Sequence, residues 1–180
     1  PELAARTARL LSEAGLPVAR DESRGLDHGA YVPLVEMFPE ANVPVLQLSL
    51  TTLDPATLYA VGQHLAPLRD EGTLIIGSGF TTHNLAWFNP RAGADAAAPS
   101  ASVEFDHWAA ETMAAEDLDA LLDFERRAPA AREAHPRTEH WAPIYVALGA
   151  AAGDRGGSLA SRSVIDGFWY GLSKRSWQLG

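Results

Sequence analysis

Six histidines, at positions 28, 64, 83, 107, 135 and 140, are the groups through which this chain can do chemistry near neutral pH, because it contains no cysteine. An imidazole titrates close to neutrality, so it can take or return a proton, and in its neutral form it can ligate a metal. The settings of the six differ. His83 lies in SGFTTHNL, a few residues past the apolar run TLIIGSG. If that run is a buried parallel strand, His83 falls on the loop beyond its carboxyl end, where such sheets hold their ligands. His28, in GLDHGAYVPL, has a carboxylate on one side and a glycine on the other, so backbone can approach a ligand there. A histidine hydrogen-bonded within a tight turn accounts for the same local sequence. His135 and His140, in AHPRTEHWAP, are five residues apart and do not share a helix face as an H-E-x-x-H pair does; Glu139 is adjacent. His64, beside Gln63 inside a helical pattern, and His107, in FDHWAAE, read as solvated surface residues.

A serine nucleophile is the rival use of the same loop, since Ser78 precedes His83 by five positions. Its GSG context lacks the G-x-S-x-G turn that exposes a hydrolase serine. The same glycines lack the third glycine and the downstream acid of a dinucleotide site.

The elements that must position these residues follow from pattern. Residues 2–14 carry Leu3, Leu10, Leu11 and Ala14 at helical spacing, and Gly15-Leu16-Pro17 should end that helix, with a short strand over 16–19 and a polar loop over 20–29. Residues 43–50 (VPVLQLSL) read as a strand. Asp54-Pro55 supplies a cap and a first-turn proline for a helix reaching about Leu68, Gly72 closes it, and TLIIGSG is a second strand. Strand, helix and strand in that order make a parallel βαβ unit. The expected fold is therefore α/β and layered, with parallel strands. Residues 90–102 read as a mobile surface loop or lid, and residues 103–114, 117–126 and 138–151 as helices. Phe168, Trp169, Tyr170 and Trp177 around Gly171 suggest a terminal hairpin.

Composition narrows the class. A chain of 180 residues with 47% hydrophobic content fits one domain, here 1–180, without internal repeats. Fourteen basic against twenty-three acidic residues leave a net charge of −9, which repels phosphate backbones and argues against nucleic acid as a partner. The longest apolar run, 142–153, is far short of the roughly 20 residues of a membrane span, and a cytoplasmic protein is expected. The chain opens on Pro1 directly into a helical pattern, so we read it as starting within a longer protein.

Taken in order, LDHGAYVPLVEMFPEANVPVLQLSL, LIIGSGFTTHNL, FDHW, AHPRTEHWAPIYVALGAA and YGLSKRSWQLG resemble the class III extradiol ring-cleaving dioxygenases, in particular their 4,5-DOPA dioxygenase-like branch. The resemblance covers nearly the whole chain. It implies a three-layer α/β fold, with a largely parallel central sheet and helices on both faces, and a non-haem Fe(II) site, with zinc possible in its place, that uses dioxygen to split a catechol ring beside its two hydroxyls. It further implies that His140 is a metal ligand, with Glu139 the near alternative, that His83 is the acid/base and that His28 is a second active-site imidazole. His135 is expected to support the loop. Fe(II) needs several N/O ligands and open positions. The family draws two further histidine ligands from a front segment whose motifs do not occur here, so this polypeptide alone is expected to be inactive, with an oligomer possible. A non-catalytic remnant or binding module of the same fold is the alternative.

Overall fold

The computed structural model describes residues 1–153 and 156–180. Helix α1 (Glu2–Glu13) turns Thr7 and Leu11 inward and stops as read from the sequence. Gly15 adopts φ 76°, and its N–H and that of Leu16 close onto Ser12 O and Leu11 O at 2.9 and 3.0 Å. Helix α3 (Pro55–Leu65) begins at Asp54, whose carboxylate accepts from Thr57 N at 2.8 Å, and a short α4 (Pro67–Asp70) extends it. Helices α5 (Ser100–Ala114), α6 (Leu118–Leu122), α7 (Phe124–Arg127), α8 (Ala131–Ala134) and α9 (Pro143–Ala152) follow.

The core gathers Leu58, Leu65, Phe105, Leu121, Trp141 and Leu148. Its polar tips are paired, as burial demands: Trp141 Nε1 donates to Tyr145 Oη, which donates to Leu121 O, both at 2.7 Å. Helices α3 and α9 cross at two glycines. A Cβ on Gly62 would lie 2.2 Å from Val146 O, and one on Gly149 would lie 1.9 Å from Tyr59 O. The two backbones therefore touch where side chains would ordinarily separate them.

Arg69 ties this helix pair to the end of the chain. Its Nη1 donates to Ala150 O and Ala151 O in the last turn of α9, and its Nη2 to Leu179 O, each at 3.2 Å. Cationic donors at a helix C-terminus satisfy those carbonyls and oppose the helix dipole. Arg69→Ala is expected to cost about 2 kcal/mol, within the usual range for charged hydrogen bonds. Urea unfolding checks it, with Arg69→Lys recovering only part because one ammonium cannot span three carbonyls.

The strands depart from expectation. Among the described residues, β1 (Ser161–Ile165) pairs antiparallel with β4 (Ser176–Leu179), and β2 (Phe168–Trp169) pairs with β3 (Leu172–Ser173). The terminal hairpin is thus present as two antiparallel pairs. Residues 16–19, 43–50 and 73–79, read as strands, form no ladder there, and Val45, Leu74 and Ile76 are 46%, 65% and 46% exposed. An apolar run reports that a segment prefers burial; a strand also needs a hydrogen-bonded neighbour about 4.8 Å away. The chain is a mixed helix-and-strand fold, with small sheets where a three-layer parallel one was expected.

The polar loop assigned to 20–29 is cut short by an unanticipated helix. Helix α2 (His28–Met37) starts at His28, with Asp27 as its cap accepting from Ala30 N at 3.1 Å. It carries no amphipathic stripe, buries no residue and contains Pro33, so no 3.6-residue period revealed it and the proline masked the start signal at Asp27. The loop over 90–102 likewise ends early, because α5 begins at Ser100. No helix among the described residues is long and apolar enough to cross a membrane.

Candidate active site

The loop carrying His83 lies directly on the segment carrying His140. Gly79 allows this, since a Cβ there would sit 2.0 Å from His140 O, and Gly77 stands in the same relation to Pro143 O, at 2.5 Å. Phe80 N then donates to His140 O, and His83 N to Ala134 O, both at 2.9 Å. Asn84 Nδ2 donates to Glu133 O at 2.7 Å. The GSG glycines thus serve close backbone approach, a reason the sequence alone did not reveal.

These contacts bring His83 and His140 into a parallel stack, with ring centroids 3.5 Å apart and planes inclined by 11°. His140 ends a 3-10 turn, Thr138–His140, just before α9. His28 stands exposed at the first residue of α2, close enough that a charge on it would lower the pKa of His140. Helix α2 is held there by two devices. Gln47 pairs with Asp27 twice, accepting from its N–H at 3.0 Å and donating to its carboxylate at 2.9 Å. Pro33 has no N–H for the Gly29 carbonyl one turn back, and the Ser78 hydroxyl donates to that carbonyl at 2.5 Å. That bond accounts for Ser78 without a nucleophilic role.

His135 has a different place. It is 3% exposed, its Nε2 bonds Thr81 O at 2.8 Å, and its ring meets Phe105 edge-on at 5.0 Å. It braces the loop from beneath. Glu139 pairs with Arg137 at 3.1 Å, but its Oε2, like His140 Nδ1, is buried with no hydrogen-bond partner among the described residues. A cleft of about 410 Å³ opens on this side, lined by Leu53, Phe124, Arg132, His135, Arg137 and Glu139 among others; neither stacked imidazole lines it. His64 and His107 are exposed, as the sequence indicated.

Electrostatics favour neutral imidazoles. Burial, then the neighbouring His140, pushes the His83 pKa down, with Glu139 opposing. Burial also lowers His140, again against Glu139, with His28 and Arg137 adding to the lowering. His135 is pushed down to about 4, chiefly by burial and against its bond to Thr81. The unfolded chain would protonate these rings near pH 6.5, so folding is disfavoured as pH falls below that value. From His135 alone, stability is expected to be complete above about pH 6.5 and to fall by about 3 kcal/mol on the way to pH 4. Denaturant titrations across that window check this, with His135→Gln removing roughly one proton from the slope.

Two donors with orphaned lone pairs, a histidine nitrogen and a carboxylate oxygen, suit a borderline or hard metal ion. Three ligands are the usual minimum, and no group of three or more His, Asp or Glu side chains among the described residues could hold an ion. By themselves the described residues do not fit a metal ion.

Comparison with known proteins supplies the class. Residues 1–168 match the catalytic LigB subunit of aromatic ring-opening dioxygenase, and the chain belongs to that family. Within it, the chain is 43% identical over 173 residues to a 4,5-DOPA dioxygenase extradiol of Beta vulgaris, covering 95% of this chain and 62% of that protein. It is 40% identical over 164 residues to the 4,5-DOPA dioxygenase extradiol of Mirabilis jalapa, covering 91% and 60%. The crystal structure of an uncharacterized protein from Escherichia coli K12 superposes with a TM-score of 0.83 at 29% identity, covering 99% of this chain and 72% of that one. The chain thus spans about three fifths of the length of these curated relatives.

The sequence reading missed the residues that hold the loop: Thr81, Thr82, Ser102, Asp106 and Ser173, all buried. One signal was available. Asp106 follows Ser102 by four positions and precedes Ala109 and Met113 by three and seven, which places a carboxylate on the inward stripe of α5 where it must find partners.

Proposed function

We propose that the full-length protein opens the ring of a catechol, DOPA or a similar para-substituted one, by extradiol cleavage with dioxygen. The observation that carries this reading is the parallel contact of His83 with His140 at the tip of the GSG loop. In it, His83 is the acid/base: its lowered pKa leaves it neutral at pH 7, ready to accept the proton of a catechol hydroxyl and later to return it. His28, at the open side of the pair, is the second imidazole that meets the substrate. His140 is assigned to a metal, Fe(II) with zinc as the substitute, and Glu139 is its nearest oxygen donor. The described residues do not gather a complete ligand set for that ion. The same reading gives residues 43–50 and 73–79, unpaired among the described residues, parallel neighbours in a three-layer fold of the full-length protein, and puts that protein in the cytoplasm.

The test is oxygen uptake and appearance of a yellow ring-opened product when the full-length protein, supplied with Fe(II), meets DOPA. Absence of both with stoichiometric iron bound would refute the reading. The incomplete ligand set favours a second reading, a remnant of the fold without metal chemistry. Metal analysis separates the two, because a remnant retains neither iron nor zinc.

A further inference from the structure

Asp106 is a buried carboxylate, 2% exposed, that touches none of the imidazoles. Its partners lie on the last segment of the chain. Oδ1 accepts from Ser173 Oγ at 2.5 Å and from Arg175 Nε at 2.9 Å, and Oδ2 accepts from Arg175 Nη2 at 2.7 Å. The guanidinium grips the carboxylate with two parallel bonds, which fixes residues 173–175 against α5.

That segment in turn holds the two residues before His83. Ser173 N donates to Thr82 Oγ1 at 2.7 Å, and Thr81 Oγ1 donates to Arg175 O at 2.9 Å. Thr82 Oγ1 also meets Ser102 Oγ, one helical turn before Asp106, at 2.8 Å. From the other side His135 bonds Thr81 O. Thr81 and Thr82 are thus clamped between α5, the chain end and His135, and none of these oxygen atoms lacks a partner.

We propose that Asp106 is a positioning residue for His83, acting through Ser173 and Thr82. This rests on the reading of His83 as the acid/base. Burying an ion pair stabilises a fold little more than apolar side chains of the same volume would, and often less. What directed, fully satisfied bonds supply is a single geometry. Here that geometry belongs to a turn whose next residue must keep its ring flat against His140. A displacement of about 1 Å there is enough to lower turnover by two orders of magnitude.

The experiment is amide hydrogen exchange followed by NMR on the 180-residue chain, which requires neither metal nor substrate. In Asp106→Asn the amides of His83 and Phe80 should exchange at least about tenfold faster relative to Leu148 on α9, the mark of a local opening. The upfield ring-current shift of the His83 imidazole protons from the stack should also diminish. Ser173→Ala, which removes the hydroxyl bond to Asp106 but keeps the ion pair and the backbone bond to Thr82, should show both changes to a smaller degree and decides the matter should Asp106→Asn not fold. Equal acceleration at His83 and Leu148, or unchanged protection at His83 in Ser173→Ala, would overturn the assignment. A chain that shows the local opening while the full-length protein cleaves no catechol keeps the positioning role and refutes the function.

Discussion

Replacing His83 with alanine in the full-length, iron-supplied protein is expected to lower ring opening by roughly 10²–10⁴-fold, the range a positioned general acid/base contributes. The loss should fall on kcat, with KM little changed, because a proton-transfer group acts in the transition state more than in substrate binding. Stability should change far less than for a core residue, since His83 belongs to a loop and is only half-buried. A His83→Ala protein that turns over at the wild-type rate removes the role proposed for it. His83→Gln sharpens the test, because it keeps a polar group of similar reach but cannot shuttle a proton at pH 7.

The largest expected effect on stability lies at the crossing of α3 and α9. Gly149→Ala puts a methyl 1.9 Å from Tyr59 O and 2.9 Å from Gln63 N, both backbone atoms that cannot rotate away. The helices must separate along their closest approach, and overpacking of this kind costs about 3 kcal/mol or more. For a domain of this size that corresponds to a melting-temperature drop of roughly 6–12 °C. Gly62→Ala, whose methyl would meet Val146 O from the other helix, should cost a similar amount. The double variant should cost less than the sum, because one separation relieves both clashes. Gly25→Ala, with nothing within 4 Å of the new methyl, is the control and should stay within about 0.5 kcal/mol. Urea midpoints at constant m-value measure all four.

These residues also show what could be read beforehand. Asp54-Pro55 and Gly15 were legible because caps and left-handed turns are local: the chemistry that starts or stops a helix sits within four residues of its end. The imidazoles at 28, 83 and 140 were grouped only through family resemblance. The stack of His83 on His140 depends on contacts such as Phe80 with His140 and His83 with Ala134, far apart in sequence, which no local pattern contains. Residues 43–50 show the opposite failure. Their β-branched character was real, yet whether a strand forms is decided by what pairs with it. Helix α2 was hidden because its one interior proline argues against a helix, and the group that rescues the orphaned carbonyl lies 49 residues downstream of Gly29. Asp106 was hidden for a related reason: the partners of its carboxylate come 67 and 69 residues later.

The proline of α2 leads to a genetic corollary. Because Ser78 supplies what Pro33 withholds, drift at the two sites is not independent. A chain with proline at 33 and no hydroxyl at 78 would leave that carbonyl to solvent, so lineages are expected to favour the two residues together.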